Sequence, residues 1–372
     1  MRRFLAPASA PTLFSRGAAS ASAPASAPAS AAATPSPSAL AAFVASASRL
    51  LVITGAGVST DSGIPDYRSP ERPAYRPLQH HEFVASERVR RRYWARSFVG
   101  FRTMSGARPN AAHLALAALE RLGRAPAGLI TQNVDRLHHR AGHRDVLELH
   151  GTVHECECMA CRATVAREAV QAEMMAANAA WEGLAPAPMR AEAAPALTSL
   201  TAVSEELGMI PPPPPPPPSG ADAGASASAR RLRPDGDTEL SDESLYTHFI
   251  LPKCPSCGSE LLKPSVTFHG GSVPAAVTAD AAARARNCDA VLVAGSTLST
   301  FSAFRLVRDA AARGAPVAIL NSGATRADSL ATLKLELRVG SALPALVEAL
   351  ANGGVSRSGN GGGGGGGGGR RA

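Results

Sequence analysis

One short stretch constrains the fold more than any other part of the sequence. The letters LLVITGAGVSTDSGIPDYR, residues 50–68, begin with an apolar run that predicts a buried strand, and residues 55–57 then predict a tight glycine turn. A dinucleotide-binding fingerprint would continue with a third glycine and a long helix. Here Thr60 stands at the position of the third glycine, and Pro65 ends any helix that begins after it. The stretch therefore predicts a Rossmann-like nucleotide entrance that opens into a polar loop.

Strand and helix patterns alternate along the rest of the chain. Short apolar runs bounded by polar or glycine turns predict buried parallel strands at 50–54, 128–131, 146–149, 290–295, 316–320 and 335–339. Helical patterns lie between them at 39–47, 83–101, 111–122, 275–286, 301–313 and 341–351. This alternation predicts an α/β fold, a Rossmann-like doubly wound parallel sheet with right-handed crossovers.

Polar and small residues follow the predicted strands. Ligands of doubly wound sheets bind at the carboxyl ends of the strands, and backbone amides there suit phosphate groups. His150 is either a general base or an ordinary loop histidine, while Asn133 and Asp135 are either site residues or turn formers that cap the next helix. One Gly-x-Gly turn is a weak signal of a nucleotide site. Five strand ends followed by polar or small residues, all at one edge of the sheet, together predict one. They are 55–59, 132–135, 150–151, 295–297 and 321–323.

Four of the six cysteines have the spacing of zinc ligands. A Cys-x2-Cys pair places two thiolates on one tight turn, and four thiolates leave no open position, so such a zinc is structural. The pairs are Cys158 with Cys161 and Cys254 with Cys257. Cys156 and His154 are alternative ligands that the spacing leaves open, although Cys156-x-Cys158 is the poorer turn. Paired cysteines also favour a reducing compartment over disulfides.

The positive charge lies in the ends of the chain. The formal net charge is +8, but seven arginines fall within residues 1–60 and 357–372, which contain no acid, so about +1 remains for the rest. This argues against a nucleic-acid partner. The Arg-, Ser- and Ala-rich leader is typical of an organellar transit peptide, for mitochondria before plastids, or else is a biased tail. The sequence contains no apolar run of membrane-spanning length.

Three low-complexity segments interrupt the predicted elements. They are the leader 1–37, an insertion at 185–232 that contains eight consecutive prolines, and a tail at 352–372 that contains nine consecutive glycines. We expect a first part of the Rossmann-like domain at 38–155, a zinc-binding module at 156–262 and a second part of the domain at 263–351.

These motifs together resemble one family. GAGVSTDSGIPDYRS, TQNVDRLHHRAG, ELHGT, the two cysteine pairs, AGSTL and AILNSG occur in the order found in sirtuins. RPLQHHEFVASERVRRRYWARSFVG and RPDGDTELSDE extend the resemblance to the class II, sirtuin-4-like, mitochondrial branch. It covers roughly residues 38–183 and 233–350. Within SVTFHGGSV, His269 and Gly271 stand where the family commonly has an aromatic residue or glycine and an acid.

The resemblance implies an enzyme that cleaves NAD. The acyl-lysine oxygen would attack the ribose carbon as nicotinamide leaves, giving an alkylimidate, and His150 would then act as base on the ribose hydroxyls. Asn133 and Asp135 would share the catalytic work. The residues that it implies for NAD binding are Gly55, Ala56, Gly57, Ser59, Thr60, Asp66, Tyr67, Arg68, Tyr75, Gln132, Asn133, Val134, Asp135, Gly295, Ser296, Thr297, Asn321, Ser322, Gly323 and Val339.

The leading function is therefore an NAD-dependent protein lysine deacylase whose partners are acylated proteins. One alternative is a protein mono-ADP-ribosyltransferase that uses the same pocket, and another is an NAD-sensing protein without turnover. A dehydrogenase is disfavoured because no acid stands about 20 residues after the glycines to bind the ribose. Neither the preferred acyl group nor the oligomeric state follows from the sequence.

Overall fold

The computed structural model describes residues 36–67, 76–184, 232–238 and 243–355. Within these ranges the strands are β1 Leu50–Thr54, β2 Leu129–Thr131, β3 Val146–Glu148, β4 Gly151–Cys158, β5 Thr164–Ala166, β6 Leu262–Val266, β7 Ala290–Ala294, β8 Val317–Leu320 and β9 Leu333–Leu335. The helices are α1 Pro37–Ser46, α2 His80–Ala85, α3 Glu87–Gly106, α4 Ala111–Arg121, α5 Leu137–Arg140, α6 Arg167–Ala177, α7 Ala275–Asn287, α8 Phe301–Ala311 and α9 Val339–Val355.

Six parallel strands form the larger sheet, in the order β3-β2-β1-β7-β8-β9. The predicted doubly wound parallel sheet is confirmed. Strand order reverses between β1 and β7, and ligands of open α/β sheets bind at such a switch point. The turns after β1 and β7 are therefore the first place to look for a site.

Both faces of this sheet are buried, which explains why its strands are continuous apolar runs. Alternate side chains of β1 enter two different cores. Leu50 and Val52 pack in a cluster with residues of α1, α4 and α9. Leu51 and Ile53 pack in another cluster with residues of α7 and α8. Burial on both faces holds the register of β1 and so determines where the turn that follows it lies.

The second sheet has three antiparallel strands in the order β5-β4-β6, and the periodicity of the sequence did not reveal it. The helix α3 packs on it through a third core that includes Trp94. The indole Nε1 of Trp94 donates to the carbonyl of Leu262 at 3.1 Å, so the single polar group of this buried ring is satisfied. This sheet carries the cysteine pairs.

Several predicted elements differ in their boundaries, and for two of them the hydrogen bonds explain the difference. The last strand was predicted at 335–339 but ends at Leu335, because the carbonyl of Arg338 already accepts the amide of Ala342 at 3.0 Å as α9 begins. The helix predicted at 83–101 is two helices, because Ser86 adopts an extended conformation and its hydroxyl accepts the amide of Val89 at 3.3 Å as an N-cap.

The predicted limits of two low-complexity segments also differ from the described elements. The first helix begins at Pro37, inside the predicted leader, with Ser36 as its N-cap. The last helix continues to Val355, four residues into the predicted tail. The remaining parts of both segments, and the proline run, lie outside the described residues. None of the helices in the described ranges combines the length and apolar character that crossing a bilayer requires.

Candidate active site

The turn after β1 lies directly against the turn after β7, with no room for side chains between them. The amide of Gly57 donates to the carbonyl of Gly295 at 2.9 Å. A Cβ atom on Gly55 would lie 2.7 Å from the Cβ of Ser296, and one on Gly295 would lie 2.6 Å from the amide nitrogen of Val58. Gly295 also has a φ of +59°, in the left-handed region. The glycines thus allow the two turns to pack backbone to backbone. We call residues 55–57 the backbone cradle, because a turn with so little side-chain bulk suits a diphosphate.

No long helix follows this turn, as the sequence predicted. Short 3-10 turns at Ala56–Val58 and Thr60–Ser62 replace it, and Gly63 ends the second turn with a φ of +81°. The loop beyond carries Asp66, which is partly buried, and Tyr67, which is exposed. Two of the predicted NAD-binding residues, Arg68 and Tyr75, lie outside the described residues.

A buried polar network joins this loop to the end of β2. The side-chain amide of Asn133 donates to the carbonyl of Gly55 at 3.1 Å and to the hydroxyl of Ser59 at 3.0 Å. That hydroxyl donates to Asp135 at 2.7 Å, and Asp135 also accepts the amide of Leu137 at 2.9 Å. Burial raises the pKa of the Asp135 carboxyl, and these hydrogen bonds act in the opposite direction. Asp135 therefore binds the amide of the first residue of α5 and also takes part in the network.

Gln132 connects three strand ends. Its side-chain nitrogen donates to the carbonyl of Thr54, the last residue of β1, at 3.1 Å and to the hydroxyl of Ser296 after β7 at 2.7 Å. Its side-chain oxygen accepts the hydroxyl of Thr300 at 3.0 Å. The polar residues that follow β1, β2 and β7 thus meet at one edge of the sheet, as predicted.

His150 lies at the same edge, two residues after β3, and both of its ring nitrogens have partners. Nδ1 lies 3.2 Å from the carbonyl oxygen of Gln132, and Nε2 lies 2.8 Å from the hydroxyl oxygen of Ser302. A carbonyl oxygen only accepts, so Nδ1 carries the proton and Nε2 carries the lone pair. Burial lowers the pKa of His150 to about 4, the Gln132 carbonyl opposes this shift, and the charge of His269 adds to it. At neutral pH this imidazole is an uncharged base.

The other predicted strand ends also lie at this edge. After β8, the Asn321 side chain is buried, and its amide donates to the carbonyls of Ser322 and Gly323, both at 3.2 Å. The carbonyl of Thr297 accepts the amide of Arg326, and the Thr60 hydroxyl donates to the carbonyl of Gly57. Two apolar residues are buried as well. Val134 packs in the core that includes Trp94, and Val339 packs in the core beneath α9.

The four predicted cysteines form one cluster. All four sulfur atoms lie within 4.8 Å of one another, with separations of 3.7 Å between Cys158 and Cys257 and 3.6 Å between Cys161 and Cys254. Tetrahedral zinc with bonds of about 2.3 Å requires separations of about 3.8 Å, so the cluster fits one zinc ion. Within the described residues, Cys156 is not part of the cluster.

The alternative ligand His154 has another role. Its Nε2 lies 3.1 Å from the backbone carbonyl of Asp135, so it donates there and supports the loop after β2. Cys156 is a fully buried thiol in the core of the smaller sheet. The fold therefore brings together the four cysteines of the two Cys-x2-Cys pairs, and not Cys156 or His154.

Sequence reasoning missed a cluster of buried histidines beside the network. The rings of His113 and His138 lie 4.8 Å apart, and those of His138 and His143 lie 5.4 Å apart. His138 Nε2 lies 2.9 Å from the Thr54 hydroxyl, and His113 Nε2 lies 3.4 Å from the Ser59 hydroxyl. No spacing in the sequence signals this cluster, because its members come from α4, from α5 and from the turn after it.

The comparisons with known proteins agree with this geometry. Residues 55–302 match the model of the Sir2 family. The NAD-dependent protein deacylase SRT2 of Arabidopsis thaliana is 43% identical over 300 residues, which are 80% of this chain and 72% of that protein. The NAD-dependent protein lipoamidase sirtuin-4, mitochondrial, of Homo sapiens is 38% identical over 307 residues, which are 81% of this chain and 83% of that protein.

A solved structure has a similar fold. It is a Sir2 complex with a p53 peptide and NAD+, and it is 25% identical to this chain with a TM-score of 0.55. The alignment covers 85% of this chain and 98% of that one. The range that matches the family model includes the glycine turn, His150 and all four clustered cysteines.

Proposed function

This chain belongs to the Sir2 family and is an NAD-dependent protein deacylase, and we propose that His150, Asn133 and Asp135 perform its catalysis. The reaction transfers the acyl group of an acyl-lysine to ADP-ribose and releases nicotinamide. The observation that carries the assignment of His150 is its hydrogen-bonding pattern. Its Nδ1–H donates to the carbonyl of Gln132, so its Nε2 lone pair points away from that carbonyl. The ring lies at the same edge of the sheet as the backbone cradle.

NAD is consumed in this reaction, and it supplies the ribose carbon that takes up the acyl oxygen as nicotinamide departs. We assign its diphosphate to the backbone cradle of 55–57, where a Cβ atom on Gly55 or Gly57 would meet the turn after β7. Ser296, Thr297 and 321–323 bind the adenosine half. Gln132, Asn133 and Asp135 hold the nicotinamide ribose, and the buried bonds of Asn133 and Ser59 keep these groups fixed before binding.

The base acts after nicotinamide has left. Nε2 of His150 accepts a proton from a ribose hydroxyl, and the carbonyl of Gln132 stabilises the positive charge that the ring then carries. No side-chain nucleophile is needed, because the attacking atom belongs to the acyl-lysine. Zinc has a structural role, because four thiolates saturate its coordination and leave no position for a substrate.

Product identification tests this function. Purified protein is incubated with NAD and a panel of acyl-lysine peptides, and the products are measured by mass spectrometry. We expect nicotinamide and O-acyl-ADP-ribose in equal amounts, with no product when NAD is omitted. Transfer of ADP-ribose to protein would instead establish the mono-ADP-ribosyltransferase. NAD binding without any product would establish an NAD sensor.

We also propose a mitochondrial location, with acylated proteins of that compartment as substrates. The proposal rests on the acid-free leader and on the human relative, which is named as mitochondrial. A fusion of residues 1–45 to a fluorescent protein is expected to enter mitochondria. A fusion that stays in the cytosol would contradict import, and one that enters plastids would correct the organelle.

A further inference from the structure

The hydroxyl of Ser302 forms a hydrogen bond with Nε2 of His150, the nitrogen whose lone pair must accept a proton in the reaction. Ser302 is the second residue of α8, and its Oγ lies 2.8 Å from Nε2 of His150. Because Nδ1 donates to the carbonyl of Gln132, Nε2 has no proton and can only accept. The Ser302 hydroxyl must therefore be the donor in this bond. The two contacts hold the imidazole from opposite sides.

We propose that Ser302 is a positioning residue, which holds the His150 ring in one tautomer and orientation until a ribose hydroxyl replaces it at Nε2. The inference deepens the proposed deacylase function and rests on it. In the step that follows, the O–H bond of the ribose hydroxyl breaks, its proton moves to Nε2, and the electron pair stays on the ribose oxygen. Ser302 keeps its own proton throughout.

The position of Ser302 in the fold supports this role. The helix α8 begins directly after the loop from β7, and that loop holds Ser296 and Thr300 against the side chain of Gln132. The same residue, Gln132, provides the carbonyl that holds Nδ1. Gln132 and Ser302, the two hydrogen-bond partners of His150, are thus held by the same set of hydrogen bonds. Rotation of the His150 ring would break its bonds to both of them.

A donor to Nε2 also affects the proton affinity of the base. It stabilises the neutral ring and not the charged one, so its removal raises the pKa of His150. Within the described part of the chain, the titratable side chain that acts on this imidazole is His269, which follows β6 and whose charge also lowers the pKa of His150. A variant of Ser302 is therefore compared with the wild type at the same ionic strength, so that the contribution of His269 stays constant.

The test compares Ser302→Ala with Ser302→Thr, which keeps the hydroxyl. Alanine is favourable inside a helix, so the first variant is expected to fold. In Ser302→Ala we expect single-turnover formation of O-acyl-ADP-ribose at neutral pH to fall about 3- to 10-fold, the range of one ordinary hydrogen bond. The acid limb of its pH profile should move up by about half a unit to one unit. Ser302→Thr should restore both quantities to within about twofold.

Two controls separate positioning from a structural role. Exchange of labelled nicotinamide into NAD precedes the base, so we expect it to be unchanged in Ser302→Ala. Ser299→Ala alters an exposed serine of the same loop and should leave both the rate and the pH profile as in the wild type. Wild-type product formation and an unmoved acid limb in Ser302→Ala would overturn the proposal. So would a parallel loss of nicotinamide exchange.

Failure of the proposed function gives a different result. In that case neither the wild type nor either Ser302 variant makes O-acyl-ADP-ribose with any peptide. The positioning role is then still measurable in the substrate-free protein by imidazole 15N NMR. The Nε2 resonance of His150 should shift in Ser302→Ala and not in Ser302→Thr, and identical spectra for the wild type and Ser302→Ala would overturn it.

Discussion

The Ser59 hydroxyl donates a hydrogen bond of 2.7 Å to Asp135, although 76 residues separate the two in the chain. The same hydroxyl accepts the side-chain amide of Asn133 at 3.0 Å. All three side chains are buried, so water does not compete for these bonds. One serine thus joins the loop after β1 to the loop after β2, and it holds two of the three residues proposed to bind the nicotinamide ribose, Asn133 and Asp135.

Replacing this serine should loosen the site without unfolding the protein. Ser59→Ala removes the hydroxyl that donates to Asp135 and accepts from Asn133, and the loss of this donor raises the pKa of Asp135 further. We expect NAD affinity, measured by calorimetry, to fall about 10- to 100-fold, the range for a hydrogen bond to a charged group. Ser105→Ala, on the far end of α3, is the matched control and should bind NAD normally. Normal affinity in Ser59→Ala would contradict the role of the network.

Replacing the base should separate binding from chemistry. His150→Tyr removes the proton acceptor but leaves the glycine cradle, so we expect little change in NAD affinity and a fall of about 100- to 10,000-fold in O-acyl-ADP-ribose formation. Asn133→Ala should instead weaken nicotinamide release, which precedes the base. Calorimetry beside single-turnover product formation makes the comparison. Undiminished product from folded His150→Tyr would remove His150 from the mechanism.

The glycine after β7 should not tolerate a side chain. In Gly295→Ala the new Cβ meets the amide nitrogen of Val58 at 2.6 Å and the residue keeps an unfavourable φ of +59°, so the turn after β1 must move. Gly314→Ala is the matched control, because Gly314 also has a positive φ but open space around it. Both should lose about 1 kcal/mol or more of unfolding free energy in urea. NAD affinity should fall in Gly295→Ala alone, and equal affinities would contradict the cradle.

Loss of one clustered thiolate should release the metal. In Cys254→Ser we expect the zinc content, measured by mass spectrometry of the purified protein, to fall from about one per chain towards zero, because metal binding and folding of the smaller sheet are coupled. Cys288→Ser changes a buried cysteine outside the cluster and should keep its zinc. Full zinc content after replacement of all four clustered cysteines would refute the assignment.

The buried histidine cluster should make the protein sensitive to acid. Burial lowers the pKa of His113 to about 3 and that of His143 to about 4, and it lowers the pKa of His138 well below its ordinary value. Below about pH 6.5 the unfolded chain binds protons on these residues and the folded protein does not. The free energy of unfolding should therefore fall as the pH is lowered from about 6.5 towards 4.

The size of this effect can be measured by urea unfolding at several pH values. In His143→Gln, which cannot take up a proton, the loss between pH 6.5 and 4.5 should be smaller by on the order of 1 to 2 kcal/mol. His248→Gln changes an exposed histidine and should behave as the wild type does. An unchanged pH slope in His143→Gln would exclude this residue as a source of acid sensitivity.

Local chemistry explains what the sequence determined by itself. Apolar runs such as 50–54 specify strands buried on both faces, and the two glycines of residues 55–57 specify a turn that another backbone can approach closely. A Cys-x2-Cys pair specifies half of a zinc site, because its two thiolates share one turn. The placement of His150 just after a strand also follows from the sequence, since parallel strands bring their carboxyl ends to one edge.

Long-range contacts decided the rest. Which cysteine pairs meet, and that Cys156 does not, depends on how β4 and β6 pair across a long intervening segment. The break at Ser86 depends on an N-cap, and the early end of β9 depends on the first turn of α9. A cap contributes less than about 2 kcal/mol, so a small difference in energy decides such boundaries. The identity of His150 as a neutral base was a hypothesis in the sequence, because a tautomer is set by partners. Those partners, Gln132 and Ser302, lie 18 and 152 residues away, and only the folded chain brings them to one ring.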